Sequence, residues 1–571
     1  MDKSVMDKFN NWLSYDLEDG DLKNELESIK NDENEIYERF YTDLKFGTAG
    51  LRGVIGAGIN RMNIYTVRRA TQGIALFLKK TYKNPRVAIS FDSRIKSDLF
   101  ARETAKVFAA NGVKVFIYRE LMPTPNLSFA VRELNCQAGV MITASHNPAK
   151  YNGYKAYGPD GCQLNTKMSE DILDIIKELD IFKDVKTVDF DKSLENGDIN
   201  YIPDEVTEKF YSHVMSQSIN PDAVKDADLH VVYTPLNGTG NKPVREILKR
   251  MGVSRVDLVK EQTEPDGNFT TCPYPNPEIR EALALGLKKC EETGADLLLA
   301  TDPDADRVGI AVKKDGGYTL LTGNEVGVLL LDYIAKSRIK NGTMPKNPVT
   351  IKTIVTTKLI EAVAKEYGVE VINILTGFKY IGEQIGMLEE KGEENRYILG
   401  FEESYGYLSG TYVRDKDAVN ASLLICEMAA YYKKNGMTLY EALESLYKKH
   451  GRYLNSQDNI AFEGAAGMKK MAQIMSSLRE NPPKEVAGLK VLKISDYQNS
   501  TVCDLRYGTM VEIFLPQSDV IVFDLEDEAQ VVVRPSGTEP KIKVYYTAKA
   551  ENLDSALELT SRLSQDIKSK F

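Results

Sequence analysis

Three aspartates at every second position, Asp302, Asp304 and Asp306 in the run Asp302-Pro303-Asp304-Ala305-Asp306-Arg307, offer the clearest chemistry in the chain. In an extended loop, residues two apart face the same side, which would gather the three carboxylates. Hard oxygen ligands with no Cys or His partner suit Mg2+, an ion that keeps positions open for water or a phosphoryl oxygen. A calcium EF-hand loop also begins Asp-x-Asp-x-Asp. That reading fails because Arg307 stands where the loop needs glycine and Lys313 where it needs a bidentate glutamate. A helix-capping cluster is the plainer alternative, and the strand-like Val308-Gly309-Ile310-Ala311-Val312 that follows argues against it.

Four other stretches carry weaker signals. Thr143-Ala144-Ser145-His146-Asn147-Pro148 follows the apolar run Ala138–Ile142 and puts the Ser145 oxygen at a strand end, either as a nucleophile or as part of a turn. His146 is beside it, but adjacent Ser and His side chains are expected to diverge and not to form a triad. Gly47-Thr48-Ala49-Gly50-Leu51-Arg52-Gly53 reads equally as a phosphate-approaching loop with one arginine or as a hairpin. Gly400-Phe401-Glu402-Glu403-Ser404 presents Glu402 and Ser404, which suit sugar hydroxyls and are also ordinary surface residues. Arg534-Pro535-Ser536-Gly537-Thr538-Glu539-Pro540-Lys541 combines an arginine, two hydroxyls and a glycine amide, either a phosphate clamp or a β-turn around Ser-Gly.

The elements that would position these loops repeat. Strand 87–91, helix 97–111, strand 113–118, helix 126–134 and strand 138–142 make one βαβαβ series. A second runs through strand 229–233, helix 242–251, strand 255–259, helix 277–292 and strand 296–300. A third runs through strand 349–355, helix 358–367, strand 369–374, helix 377–390 and strand 396–399. This alternation predicts three α/β units with largely parallel sheets. The polar kits at Ser145, Asp302 and Glu402 follow the last strand of each series, so equivalent sheet edges could build one site. The first forty or so residues predict one or two charged surface helices. The last hundred predict strands at 511–514, 520–523, 531–533 and 541–546 and a helix at 552–569, a smaller α+β domain.

The 571 residues suggest about four domains, and 42% hydrophobic content is ample for their cores. A formal charge of −10 argues against nucleic-acid binding. No apolar run reaches the roughly 20 residues that span a bilayer. The N-terminus lacks the apolar core of a secretory signal. Six cysteines scattered without a Cys-x-x-Cys pair point to a reducing, cytoplasmic compartment.

Taken in order, these motifs resemble those of the α-D-phosphohexomutase superfamily, most closely its phosphoglucomutase/phosphomannomutase members of the Asp-Pro-Asp-Ala-Asp-Arg type, over nearly the whole chain. The resemblance implies three α/β domains of related topology plus a C-terminal α+β domain around a central cleft, with bounds at 1–205, 206–322, 323–455 and 456–571. It implies that Ser145 is a phosphoserine that donates its phosphoryl group, and that Asp302, Asp304 and Asp306 hold Mg2+ together with the Ser145 phosphoryl group. Lys155 matches the lysine near the transferring proton and is favoured over His146 as general base. Thr48, Arg52, Arg307 and Thr376 match positions lining the substrate cleft, Glu402 and Ser404 the sugar readers, and Lys416 a lysine on the same face. Arg534, Ser536, Gly537 and Thr538 match the clamp for the phosphate that is not transferred.

The activity so implied is the interconversion of α-D-glucose 1-phosphate and glucose 6-phosphate, with glucose 1,6-bisphosphate as intermediate and activator. The expected partners are sugar phosphates, with no nucleic acid and no membrane, and the expected assembly is a monomer or homodimer. Relative to the simpler Gly-Glu-x-Ser pattern, Phe401 reads as an insertion, and Tyr405-Gly406 replaces the Gly-His of dual-specificity mannose enzymes. Both favour glucose over mannose. Phosphopentomutase or phosphomannomutase activity of the same mechanism is the alternative. A metal-dependent sugar phosphatase and a non-catalytic sugar-phosphate sensor are the rivals of other classes.

Overall fold

The computed structural model describes all residues except Met1, Thr48, Ala49, Glu463 and 537–540 and, for 464–466, the backbone alone. The chain divides into two compact units, residues 1–321 with 381–397 and 404–436, and residues 322–380 with 398–403 and 437–571. The third α/β segment expected from the sequence is therefore shared between them.

The first unit holds two sheets. β1 (Gly50–Val54), β2 (Arg86–Phe91), β3 (Lys114–Ile117), β4 (Ala138–Ile142), β5 (Tyr151–Tyr157) and β6 (Ile199–Tyr201) stand in the order β1-β5-β4-β2-β3-β6. β7 (His230–Thr234), β8 (Arg255–Leu258), β9 (Leu297–Thr301), β10 (Val308–Lys314) and β11 (Gly317–Leu321) stand in the order β11-β10-β9-β7-β8. Every residue of β4, β7 and β9 is buried, which is why these strands read as near-continuous apolar runs rather than as alternating ones.

Both sheets are mixed, not largely parallel as the sequence suggested. β2 pairs in parallel with β3 and β4, and β7 with β8 and β9. β5 runs antiparallel between β4 and β1, and β10 antiparallel between β9 and β11. Chain length explains the difference. Segments 143–150 and 302–307 are too short for the crossover helix that parallel pairing requires, so each chain turns back on the strand it has just left. Gly47 bridges Gly50, and β1 begins at once. A Cβ on Gly50 would lie 1.8 Å from the Tyr154 carbonyl oxygen, so only glycine lets β1 lie this close to β5.

The N-terminal segment forms three helices, Lys3–Ser14, Gly20–Ile29 and Glu33–Phe40, each N-capped by an aspartate, Asp2, Asp19 and Asp32. They are not merely surface helices. Phe9, Trp12 and Phe40 are buried in the core of the first sheet, where Trp12 packs edge-on against Tyr65 at 5.5 Å. Their charged residues outnumber the apolar stripe and mask it.

In the second unit β12 (Val349–Thr353) lies between β13 (Glu370–Ile374) and β14 (Tyr397–Glu402), with β12 and β13 parallel. The C-terminal sheet is antiparallel in the order 452–461, 541–550, 530–535, 521–525, 489–496, 501–504 and 509–512, with helix Leu553–Lys568 against it. The strand Arg452–Ala461 starts ahead of the expected domain boundary. Its mostly polar sequence hides a ten-residue register with Lys541–Ala550. Among the described residues, no helix is long and apolar enough to cross a membrane.

Candidate active site

The loops after β4 and β9 occupy equivalent places in the two sheets of the first unit, each linking a strand to its antiparallel return. The aspartate run is a tight turn, not an extended loop. The Asp302 Oδ1 accepts the N–H groups of Asp306 at 3.1 Å and Arg307 at 3.0 Å, and Ala305 takes the left-handed conformation with φ 48°. Turning, not alternation, gathers the carboxylates. One oxygen from each of Asp302, Asp304 and Asp306 lies within 4.8 Å of the others, and all three residues are buried. The Oδ1 atoms of Asp304 and Asp306 are buried without a hydrogen-bond partner among the described residues. Orphaned anionic oxygens in a low-dielectric setting are costly unless a cation occupies the space between them. The donor set, three hard oxygens with no thiol or imidazole, fits a small divalent cation.

The serine loop comes to meet this turn. Ser145 is 3% exposed, and its Oγ donates to Asp302 Oδ2 at 2.9 Å. Its φ is 53°, the left-handed region that a non-glycine residue enters only under constraint. The same conformation brings His146 Nδ1 to 3.3 Å from the Ser145 Oγ, which corrects the expectation that the two side chains diverge. Burial, then the Arg307 and Arg52 charges, push His146 well below the ordinary imidazole value.

Cations surround the cluster. Lys155, on β5 opposite Gly50 and Met141, sends its Nζ to Asp304 Oδ2 at 2.7 Å and Asp306 Oδ2 at 3.2 Å. Lys416 reaches Asp306 Oδ2 at 3.1 Å and is held from behind by Asp415 Oδ1 at 3.0 Å. Arg307 pairs with Glu278 at 2.6 Å, and Arg52 reaches Asn147 Oδ1 at 3.4 Å. Burial and the neighbouring Asp304 and Asp306 charges push the Asp302 carboxyl well above the carboxylate range. Burial alone would raise Asp304 likewise, but the Lys155 ammonium and the hydrogen bonds from Lys155 and Thr124 hold it below its ordinary value. Burial would lower Lys155, and Asp304 and Asp306 more than reverse that.

In the second unit, Glu402 Oε1 accepts the Gly377 N–H at 2.9 Å, which sets the glutamate beside Thr376. The Thr376 hydroxyl is a buried oxygen without a hydrogen-bond partner among the described residues. Phe401 is a buried strand residue of β14 over Gly327, where a Cβ would sit 2.2 Å from its ring, so it is part of the strand and not an inserted loop residue. Arg534, next to last in the strand Gln530–Pro535, hydrogen-bonds the Tyr545 hydroxyl, which burial and Glu403 push up to about 12. The Ser536 N–H donates to the Lys541 carbonyl at 2.8 Å. Ser404 belongs to the first unit, and Thr48, Gly537 and Thr538 lie outside the described residues.

Several supporting residues escaped the sequence reading. Thr124 donates to Asp304 Oδ2 at 2.8 Å, Glu278 holds Arg307, Asp415 holds Lys416, and Asp92 with Arg94 underlies the serine loop. The available signal was positional. Asp92-Ser93-Arg94 are the first polar residues after strand 87–91, and Thr124-Pro125 open the helix that follows β3.

A buried serine oxygen against a carboxylate cluster backed by lysines, on paired α/β sheets, brings together the nucleophile, hard-oxygen metal ligands and cations that phosphoryl transfer uses. The phosphoglucomutase/phosphomannomutase models for α/β/α domains I, II and III match residues 43–181, 208–317 and 322–450, and the C-terminal domain model matches 478–557. The chain therefore belongs to the phosphoglucomutase/phosphomannomutase family. It is 39% identical over 541 residues to a phosphoglucomutase of Staphylococcus saprophyticus, covering 93% of this chain and 96% of that one. It is 40% identical over 521 residues to a phosphoglucomutase of Staphylococcus aureus, covering 91% and 92%. The parafusin (phosphoglucomutase) of Paramecium in its open form shares the fold with a TM-score of 0.69 at 19% identity, covering 93% of this chain and 94% of that one. A phosphoglucomutase/phosphomannomutase family protein of Burkholderia thailandensis does so at 0.66 and 18%, covering 92% and 97%.

Proposed function

We propose that this protein is a phosphoglucomutase that interconverts α-D-glucose 1-phosphate and glucose 6-phosphate through a phosphoserine at Ser145 and a glucose 1,6-bisphosphate intermediate. The observation that carries this reading is the Ser145 Oγ placed 2.9 Å from Asp302 in a buried three-carboxylate turn flanked by Lys155 and Lys416. Asp302, Asp304 and Asp306, with the Ser145 oxygen or its phosphoryl group, would hold Mg2+, which when bound neutralises phosphoryl oxygen charge. In the forward half-reaction the sugar 6-hydroxyl oxygen bonds to the phosphorus and the bond from phosphorus to the Ser145 Oγ breaks. The hydroxyl proton passes to the serine oxygen, with Lys155 the favoured carrier and His146 the second candidate. After the bisphosphate turns over, its 1-phosphate returns to Ser145.

Thr48, Arg52, Arg307 and Thr376 line the substrate path in this reading. Glu402 and Ser404 read the sugar hydroxyls, and Arg534, Ser536, Gly537 and Thr538 grip the phosphate that is not transferred. The four domains take the bounds 1–205, 206–322, 323–455 and 456–571, and the six free thiols suit a cytoplasmic enzyme.

A coupled assay with glucose, mannose and ribose 1-phosphates, with and without chelator, tests the reading. Metal-dependent turnover with glucose 1-phosphate preferred is the expected result. Ser145→Ala should lower kcat by about four orders of magnitude or more while leaving the unfolding midpoint near native. Intact mass after incubation with glucose 1,6-bisphosphate should show one phosphoryl adduct in the native protein and none in the variant. Undiminished activity of the variant, or net release of free phosphate, overturns the proposal.

A further inference from the structure

We infer that Arg94, locked by Asp92, is the positioning residue that holds Ser145 in its reactive conformation, an inference that rests on Ser145 being the phosphoryl carrier. The side chains of Arg94 and Asp92 are both fully buried, with Arg94 Nε 3.2 Å from Asp92 Oδ2. From that fixed root the guanidinium spans the whole loop between β4 and β5. Its Nη1 donates to the carbonyls of Pro148 and Tyr151, each at 3.0 Å, and its Nη2 donates to the carbonyls of Ser145 and Asn147.

Three backbone carbonyls of one short loop and the first of β5 thus converge on a single side chain. A buried loop has no ladder to satisfy these oxygens, and a planar five-donor fork does so at fixed angles. Lysine carries the same charge but has three donors on a flexible stem, so it could not hold the four oxygens in one plane.

Asp92 also reaches the serine from the other side. Its Oδ1 accepts the Arg94 N–H at 2.9 Å and the Ser97 hydroxyl at 2.7 Å, and the Thr143 hydroxyl lies beside its carboxylate. The Thr143 Oγ1 in turn accepts the Ser145 N–H at 2.8 Å. Asn152, where the loop rejoins β5, donates to the same Ser97 Oγ at 3.0 Å. The Ser145 carbonyl is therefore fixed through Arg94 and its N–H through Thr143, and both supports end on Asp92. Fixing both peptide groups that flank a residue sets its φ and ψ. That is what a non-glycine residue needs to persist at φ 53°. In that conformation the Oγ faces Asp302, and a reacting atom displaced by about 1 Å loses roughly a hundredfold in rate.

Arg94 and Thr143 act on the serine loop's own backbone, so substrate affinity is separable from this brace. Arg94→Lys should lower kcat about a hundredfold with KM within about threefold of native. Thr143→Val, which keeps the shape and removes the hydroxyl, should lower kcat about ten- to a hundredfold, and Thr143→Ser should restore near-native turnover. Single-turnover phosphorylation of Ser145 by glucose 1,6-bisphosphate, followed by intact mass, should slow by the same factors. Native-rate phosphorylation in both Arg94→Lys and Thr143→Val overturns the inference, as does a loss in Thr143→Val that Thr143→Ser does not rescue. If Arg94→Lys does not fold, the Thr143 pair decides alone. If the native protein takes no phosphoryl adduct, it is the reading of Ser145 as carrier that falls.

Discussion

The serine loop and the aspartate turn solve one problem in opposite ways. Both follow a fully buried strand, both lead into its antiparallel partner, and each contains one non-glycine residue with positive φ, Ser145 at 53° and Ala305 at 48°. In the serine loop the strained residue is the reactive one, and its support comes from another strand end through Arg94. In the aspartate turn the strained residue is a buried alanine, and the turn's first aspartate ties down the amides that follow it. A loop whose reactive residue is itself strained needs bracing from outside. A loop that offers several ligands can use one of them as its own brace.

The largest effect that tests this contrast is at Asp302, which is both a ligand candidate and the brace. Asp302→Asn keeps an Oδ1 that can accept the Asp306 and Arg307 N–H groups but removes the charge. Asp302→Ala removes both. Each variant should lose about a thousandfold or more in metal-dependent turnover, because a carboxylate of the cluster is gone. Only Asp302→Ala should also lose stability, by about 1–3 kcal/mol, since buried amides are left without an acceptor. Urea unfolding of the two variants side by side reads the difference. Equal midpoints would mean that the turn does not depend on Asp302 for its shape.

The contrast also explains what could be read from the sequence. β4, β7 and β9 were legible because strands buried on both faces must be continuously apolar. The loops after β4 and β9 were legible because polar residues end those runs abruptly. Three carboxylates so closely spaced meet whether the chain extends or turns, so the cluster was predictable although the turn was not. Arg94 and Thr124 were not legible as site residues, because their contacts lie 51 to 57 and 180 positions away and depend on which strands become neighbours. The return strand β5 was missed, and the strand-like run 308–312 was read without its pairing direction, because that direction follows from loop length and not from apolar periodicity. Strand Arg452–Ala461 was missed because much of it faces solvent and carries no alternating apolar signal.

A smaller effect should appear at Asp417, which begins the helix Ala418–Lys434 in the first unit. The Ala418 N–H donates to the Ala305 carbonyl at 3.2 Å, an outside support for the turn beside the Thr124 N–H on the Asp304 carbonyl at 2.9 Å and the Thr239 N–H on the Pro303 carbonyl at 2.8 Å. Burial raises the Asp417 carboxyl to about 6, although the Asn420 and Val419 N–H groups and the Tyr412 hydroxyl donate to it. Between the unfolded value near 3.8 and the folded value of about 6, the folded protein binds a proton that the unfolded chain does not. This group therefore favours the fold most at low pH, and its contribution is lost as pH rises through about 6. The loss is on the order of 2–3 kcal/mol by neutrality. Asp417→Asn keeps the helix cap and should be more stable than the native protein at pH 7, with the advantage fading toward pH 4. Activity should be unchanged if the turn is tied by Asp302. A parallel loss of kcat would show that it leans on this helix.

The smallest and most direct comparison puts glycine at each strained position. Glycine relieves the left-handed strain of about 1–2 kcal/mol but adds roughly 0.5–1 kcal/mol of unfolded-chain freedom. At Ala305, which is fully buried, the lost methyl contact also offsets part of the relief. Ala305→Gly should therefore stay within about 1 kcal/mol of native stability and keep kcat within about twofold, because Asp302 still sets the turn. Ser145→Gly should gain comparable relief at its own backbone and lose turnover completely, since the oxygen that faces Asp302 is gone. Unfolding midpoints and kcat measured on the two variants together read the comparison. A large fall in kcat for Ala305→Gly would place the constraint on the aspartates in the alanine's restricted backbone and not in the Asp302 hydrogen bonds.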